Sequence, residues 1–301
     1  MNVLEVRSVS KQYANVQALN KVSLQVEEGT IFGLLGPNGA GKTSLIRIIT
    51  QITKADEGEV LFMGSGLKPE HTQQIGYLPE ERGLYKKMEV GEQLLYFAQL
   101  KGLSRAAAMD KLKNWIERFE IQSWWNKKVE ELSKGMQQKV QFIATVMHAP
   151  KLLILDEPFS GFDPINAAMI TSEILGLKAN GTSIIFSTHR MESVEQLCDR
   201  IGLIHQSNLV LEGKVSNLRE QYKKHIYEVT HTPADLESLT DTTILSSHTN
   251  GQRQTTTIQL AQHMHTNQVI SELLQCTTIL GFEEKLPSMQ DIFIDTVNKA
   301  N

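Results

Sequence analysis

Apolar and polar positions alternate from Val3 to Val9 and again from Ala18 to Val26. That spacing predicts two half-buried antiparallel strands with a turn around Ala14-Asn15. The pattern then changes. Ile31-Phe32-Gly33-Leu34-Leu35 is a short continuous apolar run, as in a parallel strand buried on both faces, and Ser44 to Ile49 has helical spacing. Glu57 to Phe62 predicts a turn into another short strand, and Ile75 to Glu80 a strand stopped by Pro79. From Val90 to about Ala149 the period is helical, with Leu94, Leu95 and Ala98 on one face and Trp115, Ile116 and Phe119 on another. The Trp124-Trp125 pair is expected to fill a small helical core. Lys151 to Leu155 and Ser183 to Ser187 are further apolar runs, the second following a helix that ends at Asn180-Gly181. Ile201 to Ile204 and Leu209 to Leu211 read as a hairpin turning at Ser207-Asn208. Strands separated by helices, with a helical insertion over about residues 85–148, predict an α/β core.

Beyond about Tyr222 threonine and histidine become frequent and glycine rare. Ile226 to Thr230, Thr242 to Ser246 and Thr255 to Leu260 are predicted strands, with Asn250-Gly251 as a hairpin turn. Met264 to Leu274 and Ser288 to Val297 are predicted helices. The chain is therefore expected to divide into a domain over residues 1–220 and a C-terminal α+β domain over residues 221–301. His263 and His265 have no sequence neighbours to complete a metal shell, so packed or solvated histidines are the expectation.

Composition narrows the picture only a little. With 301 residues, 41% hydrophobic and 21% charged, the chain is long enough for two units and ordinary for a globular protein. A net charge of −4 gives no electrostatic reason to expect nucleic acid as a partner. Cys198 and Cys276 form no ligand or redox spacing, which suits a reduced, cytosolic compartment. No apolar run is long enough to span a bilayer, and the N-terminus enters a strand without a signal-peptide core. Action at a membrane would go through a partner.

The candidate chemistry starts at Gly36-Pro37-Asn38-Gly39-Ala40-Gly41-Lys42-Thr43-Ser44. It has the spacing of a phosphate-binding loop between a buried strand and a helix. Backbone N–H groups there converge with the helix dipole into an anion site. Lys42 supplies charge for the β- and γ-phosphates, and the Thr43 hydroxyl suits a Mg²⁺ ligand. Tyr13, an aromatic close in sequence to that sheet, is a candidate to stack on a nucleotide base, with plain packing as the alternative. Further along, Leu152-Leu153-Ile154-Leu155-Asp156-Glu157-Pro158 puts two carboxylates at the end of a buried strand. Ligands gather at the carboxyl ends of parallel strands, so Asp156 is placed to hold Mg²⁺ and Glu157 to act as general base on water.

Together with Leu132-Ser133-Lys134-Gly135-Met136-Gln137-Gln138, this arrangement resembles the ATP-binding subunit of ABC transporters over roughly residues 2–220. The resemblance implies a P-loop NTPase core with an antiparallel β subdomain and a helical insertion. It makes Gly36 to Thr43 the Walker A loop and Asp156-Glu157 the end of the Walker B strand. Ser160-Gly161-Phe162-Asp163 matches the D-loop, His189 in Ser187-Thr188-His189 the switch histidine, and Tyr13 the base-stacking aromatic. It further implies an ATPase in which two copies clasp two ATP molecules head to tail. Ser133 and Gly135 of one copy would contact the γ-phosphate held by the other, and the motion would be passed to a membrane permease at the cytoplasmic face.

Two departures stand out. Glu80, in Tyr77-Leu78-Pro79-Glu80-Glu81-Arg82-Gly83-Leu84-Tyr85, replaces the family's usual Gln near the metal and attacking water. That stretch looks like the sodium- and drug-exporting bacterial branch of the family, which favours export. Lys134 and Met136 interrupt the usual signature but leave Ser133 and Gly135 in place. By the same resemblance a permease docks near Glu81 to Gln93, with Leu84, Tyr85 and Met88 as apolar anchors or, equally, packed within the subunit. The competing class is a soluble ABC-type ATPase working on ribosomes or DNA. It usually carries two cassettes, or long heptad insertions, and a basic surface, none of which this sequence shows.

Overall fold

The computed structural model describes residues 1–81, 83–160, 162–236 and 239–300. Backbone contacts divide it into one unit of Met1–Val215 with Thr296–Asn301, and a second of Ser216–Asp295.

In the first unit the alternating N-terminal runs form β1 (Asn2–Tyr13) and β2 (Val16–Glu27), paired antiparallel. After β3 (Ile31–Leu35) and α1 (Lys42–Ile49), β4 (Glu57–Phe62) returns to pair antiparallel with β1 and, through β5 (Ser65–Gly66), completes a four-stranded sheet ordered β2-β1-β4-β5. The second sheet takes β6 (Ile75–Leu78), β7 (Leu152–Asp156), β8 (Ser183–Ser187), β9 (Arg200–His205) and β10 (Asn208–Lys214), ordered β10-β9-β3-β8-β7-β6. Its strands run parallel except at the β9-β10 hairpin. β3, β7 and β8 are buried at every position, as unbroken apolar runs require when both faces of a parallel sheet are covered. One core joins the two sheets through α1, with Leu4, Leu24 and Phe62 against Leu45, Ile49 and Ile154.

Between β6 and β7 lie α2 (Val90–Leu100), α3 (Arg105–Arg118) and α4 (Lys134–Val146). Phe119 stacks on Phe142 at 5.8 Å, and Leu94, Ala98 and Leu112 are buried with them. Trp124 and Trp125 do not fill this core, contrary to the sequence expectation; both are half-buried. Trp124 ends a 3₁₀ turn over Gln122–Trp124, and Trp125 follows it. The Trp125 ring lies so close to Gly91 that a Cβ would come within 2.3 Å of it. After β7, α5 (Pro164–Ala179) and α6 (Met191–Leu197) flank β8.

α7 (Val215–Gln221) leads into the second unit. There β11 (Ile226–His231), β12 (Thr242–Asn250), β13 (Arg253–Leu260) and β14 (Ile279–Lys285) form an antiparallel sheet ordered β12-β13-β11-β14. With them go α8 (Thr266–Cys276) and the start of α9 (Met289–Ala300), whose residues from Thr296 on group with the first unit. Tyr227, Val229 and Ile258 of the sheet pack on Val269 and Leu273 of α8. β14, with Glu283, Glu284 and Lys285 in its second half, is a strand that hydrophobic patterning did not predict. His263 contacts Asp241 at 2.9 Å and His265 precedes α8. Among the described residues no cluster of three metal-ligating side chains forms.

Candidate nucleotide site

β8 lies between β3 and β7, and its Ser187 is in register with Leu34 on one side and Asp156 on the other. The glycine loop after β3, the acid pair ending β7 and the Thr188-His189 turn after β8 therefore emerge side by side at the carboxyl ends of adjacent parallel strands. They open on one cleft of about 480 Å³.

The loop is shaped by glycines that no other residue can replace. Gly36 and Gly41 sit at φ 146° and 117°, where a Cβ would come within 2.2 Å of the Ile204 carbonyl and 2.3 Å of the Ala18 carbonyl. Gly36 and Ala40 are buried and frame the loop, whereas Pro37, Asn38 and Gly39 are exposed. Asn38, Gly39, Gly41, Lys42, Thr43 and Ser44 line the cleft. Lys42 Nζ donates to the carbonyls of Gly36 at 2.6 Å and Pro37 at 3.1 Å. Burial draws its pKa below the usual lysine value, and Asp156, Glu157 and Glu80 oppose that shift.

Asp156 is 7% exposed. Its carboxyl is pushed above the ordinary range, chiefly by burial, with the charges of Glu80 and Glu157 adding to it. Glu157 has left the sheet. Its φ is 49° and its N–H donates to the Ser187 carbonyl at 2.9 Å. Its Oε1 accepts from His189 N at 2.9 Å and lies 2.7 Å from His189 Nδ1, while Oε2 accepts from Thr188 Oγ1 at 3.2 Å. Glu80, exposed after Pro79, lines the same cleft. So does Tyr13, 40% exposed, whose ring has Lys11 Nζ 5.4 Å from its centre. Three carboxylates face one lysine in this lining. The donor set is all oxygen: the Thr43 hydroxyl with Asp156 and Glu80. That is the partial shell a hard cation takes when phosphate oxygens complete it, so the residues fit Mg²⁺ arriving with a nucleotide.

Ser133 and Gly135 do not line this cleft. Ser133 is the N-cap of α4, its Oγ accepting from Met136 N at 3.3 Å, and Gly135 stands at the open tip of that helix with nothing within 4 Å of its Cβ position. Ser160 also lies outside the lining, with its carbonyl bonded by Gln138 Nε2 of α4. Asp163 caps α5 by accepting from the N–H groups of Ile165 and Asn166, both at 3.0 Å; these bonds, Asn166 foremost, hold its carboxyl below the ordinary range. Gly161 lies outside the described residues. The sequence reading missed Val16 and Ala18, which give the cleft an apolar side near Tyr13. It also missed Thr188, whose contact with Glu157 depends on two strands being neighbours. No local pattern signals either.

Residues 19–160 match the family model described as ABC transporter, and residues 213–297 match the ATP-binding protein DrrA1-3-like C-terminal domain. Residues 127–195 also match an AAA domain model described as a putative AbiEii toxin of a type IV toxin–antitoxin system. The chain is 40% identical to the ABC transporter ATP-binding protein YhaQ of Bacillus subtilis over 98% of each chain. It is 35% identical to the bacitracin transport ATP-binding protein BcrA of Enterococcus faecalis, covering 74% of this chain and 73% of that one. A solved structure of an ATP-binding subunit of an ABC transporter superposes with a TM-score of 0.69 at 31% identity, over 73% of this chain and 93% of the other.

Proposed function

The chain belongs to the ATP-binding subunits of ABC transporters and is an ATPase, and from that premise we propose that two copies close head to tail on two ATP molecules to drive a separate membrane permease. The observation that carries this reading is the division of the nucleotide-contacting residues into two groups. Tyr13, Lys42, Thr43, Asp156, Glu157 and His189 share one cleft. Ser133 and Gly135 are not among its lining residues and stand at the N-terminal tip of α4. Anion-binding groups left out of their own chain's cleft are the parts a second chain would use.

In this reading the loop N–H groups and Lys42 hold the β- and γ-phosphates, and Tyr13 carries the base. Thr43 and Asp156 hold Mg²⁺, with Glu80 beside them; the ion would screen phosphate charge from the acids. Glu157 takes a proton from the attacking water, and His189 contacts the γ-phosphate. Ser133 Oγ and Gly135 N–H of the second copy close the site. Ser160 and Asp163 would lie at the dimer face.

The permease would dock at the groove of about 290 Å³ lined by Tyr77, Leu84, Phe97 and Leu100. Tyr85, 51% exposed and stacked on Phe97 at 6.0 Å, stands beside it. No helix among the described residues is long and apolar enough to cross a membrane, so the subunit would sit peripherally at the cytoplasmic face. Tyr77 to Tyr85, and the likeness to a bacitracin transport protein, favour export of ions or drugs.

The test is Glu157→Gln, which removes the base and keeps the side chain's shape. With ATP and Mg²⁺ the variant should run at twice the monomer mass in light scattering, while phosphate release falls by about two orders of magnitude or more. A monomer under those conditions sinks the head-to-tail reading.

A further inference from the structure

Both carboxylate oxygens of Glu157 are held, but by groups of opposite character. Oε1 meets His189, whose side chain is 72% exposed and can swing away. Oε2 meets Thr188, which is 1% exposed and cannot. The geometry points to Thr188 as the positioning residue that keeps the Glu157 carboxylate aimed at the attacking water once His189 has moved onto phosphate. This inference rests on Glu157 being the general base.

The direction of the hydrogen bonds supports it. Arg190 N–H donates to Thr188 Oγ1 at 3.1 Å. A backbone N–H can only donate, so it occupies a lone pair of the hydroxyl and leaves the hydroxyl proton for Glu157 Oε2, 3.2 Å away. The chain Arg190 N–H to Thr188 to Glu157 therefore has one polarity. When His189 Nδ1 leaves, the His189 backbone N–H at 2.9 Å and the Thr188 hydroxyl still hold one oxygen each. The plane of the carboxylate stays fixed while Oε1 regains a lone pair for water. Thr188 does not line the cleft; it acts only through Glu157. Holding a base within a fraction of an ångström of its working geometry is how a group that touches no substrate changes a rate.

The experiment measures steady-state hydrolysis and direct ATP binding for Thr188→Val, Thr188→Ser, Glu157→Gln and the Thr188→Val/Glu157→Gln double variant. Valine keeps the β-branched shape and removes the hydroxyl. Losing a hydrogen bond to a charged group should lower kcat about ten- to a hundredfold, while KM and Kd for ATP stay within about twofold. Serine, which restores the donor, should return kcat to within about threefold of the parent. In the Glu157→Gln background the valine should cost nothing further, since the group it acts through is gone. An unchanged kcat in Thr188→Val, no rescue by serine, or an equal loss in the Glu157→Gln background each overturns the inference. An inactive Glu157→Gln beside a fully active Thr188→Val removes this inference alone. A Glu157→Gln that turns over normally removes the reading of Glu157 as base and this inference with it. Should Thr188→Val not fold, Thr188→Ser against Thr188→Ala makes the same comparison.

Discussion

Lys42→Ala tests whether the cleft holds a triphosphate by one cation or by its backbone. Among the described lining residues Lys42 is the single lysine or arginine, and it faces Glu80, Asp156 and Glu157. Removing it leaves three carboxylates opposite a phosphate chain of like charge. A unit charge about 4 Å from a phosphate oxygen is worth about 4 kcal/mol at an effective dielectric constant near 20, and water entering the vacated space takes back part of that. The net expectation is about 2–4 kcal/mol, which weakens ATP binding by roughly thirty- to a thousandfold. The loop's path should persist, because Gly36 and Gly41 fit against the carbonyls of Ile204 and Ala18, although the two bonds from Lys42 Nζ to the Gly36 and Pro37 carbonyls are lost. Isothermal titration with MgATP measures the affinity, and a thermal scan checks that the fold persists. An affinity within about threefold of the parent would refute the reasoning, since it would mean that backbone N–H groups and the helix terminus suffice.

Tyr13→Ala should weaken ATP binding by about fivefold to a hundredfold, as loss of one base–aromatic stack does, and should weaken inorganic triphosphate, which has no base, hardly at all; equal losses for both would show that Tyr13 only packs. His148 is buried, and burial followed by the charges of Lys101 and Lys111 lowers its pKa to about 4 from an ordinary 6.5. The unfolded chain therefore binds the proton first as pH falls. The neutral histidine's contribution is intact above about pH 6.5, shrinks as pH falls through that value and is lost near pH 4, a span worth on the order of 3 kcal/mol. His148→Leu should flatten this part of the pH dependence in urea unfolding between pH 7 and pH 4.5; an unchanged slope there would count against it.

What could be seen in the sequence was what is local. β3, β7 and β8 announce themselves as unbroken apolar runs, because strands covered on both faces have no polar side to show. The glycine loop is visible because three of its positions require backbone angles that only glycine tolerates easily. The pairing of Asp156 with Glu157 at a strand end is equally local. The order of the strands is not, so the meeting of Thr188 with Glu157 could not be read from spacing. β14 escaped notice because its exposed Glu283 and Lys285 and part-covered Glu284 break the apolar alternation. The tryptophan pair misled because bulk suggests a core, whereas both side chains are only half-buried, Trp125 with its ring across Gly91.

The left-handed turn at Glu157 has a consequence for evolution at this strand end. Two consecutive acids in an extended strand would project to opposite faces of the sheet and serve different rooms. A single backbone rotation at the second acid turns it back over the next strand, so that neighbours in sequence become neighbours in the same cleft, each with its own surroundings. A β-branched residue at this position would lose the carboxylate and would also resist the rotation that brings the side chain into the cleft.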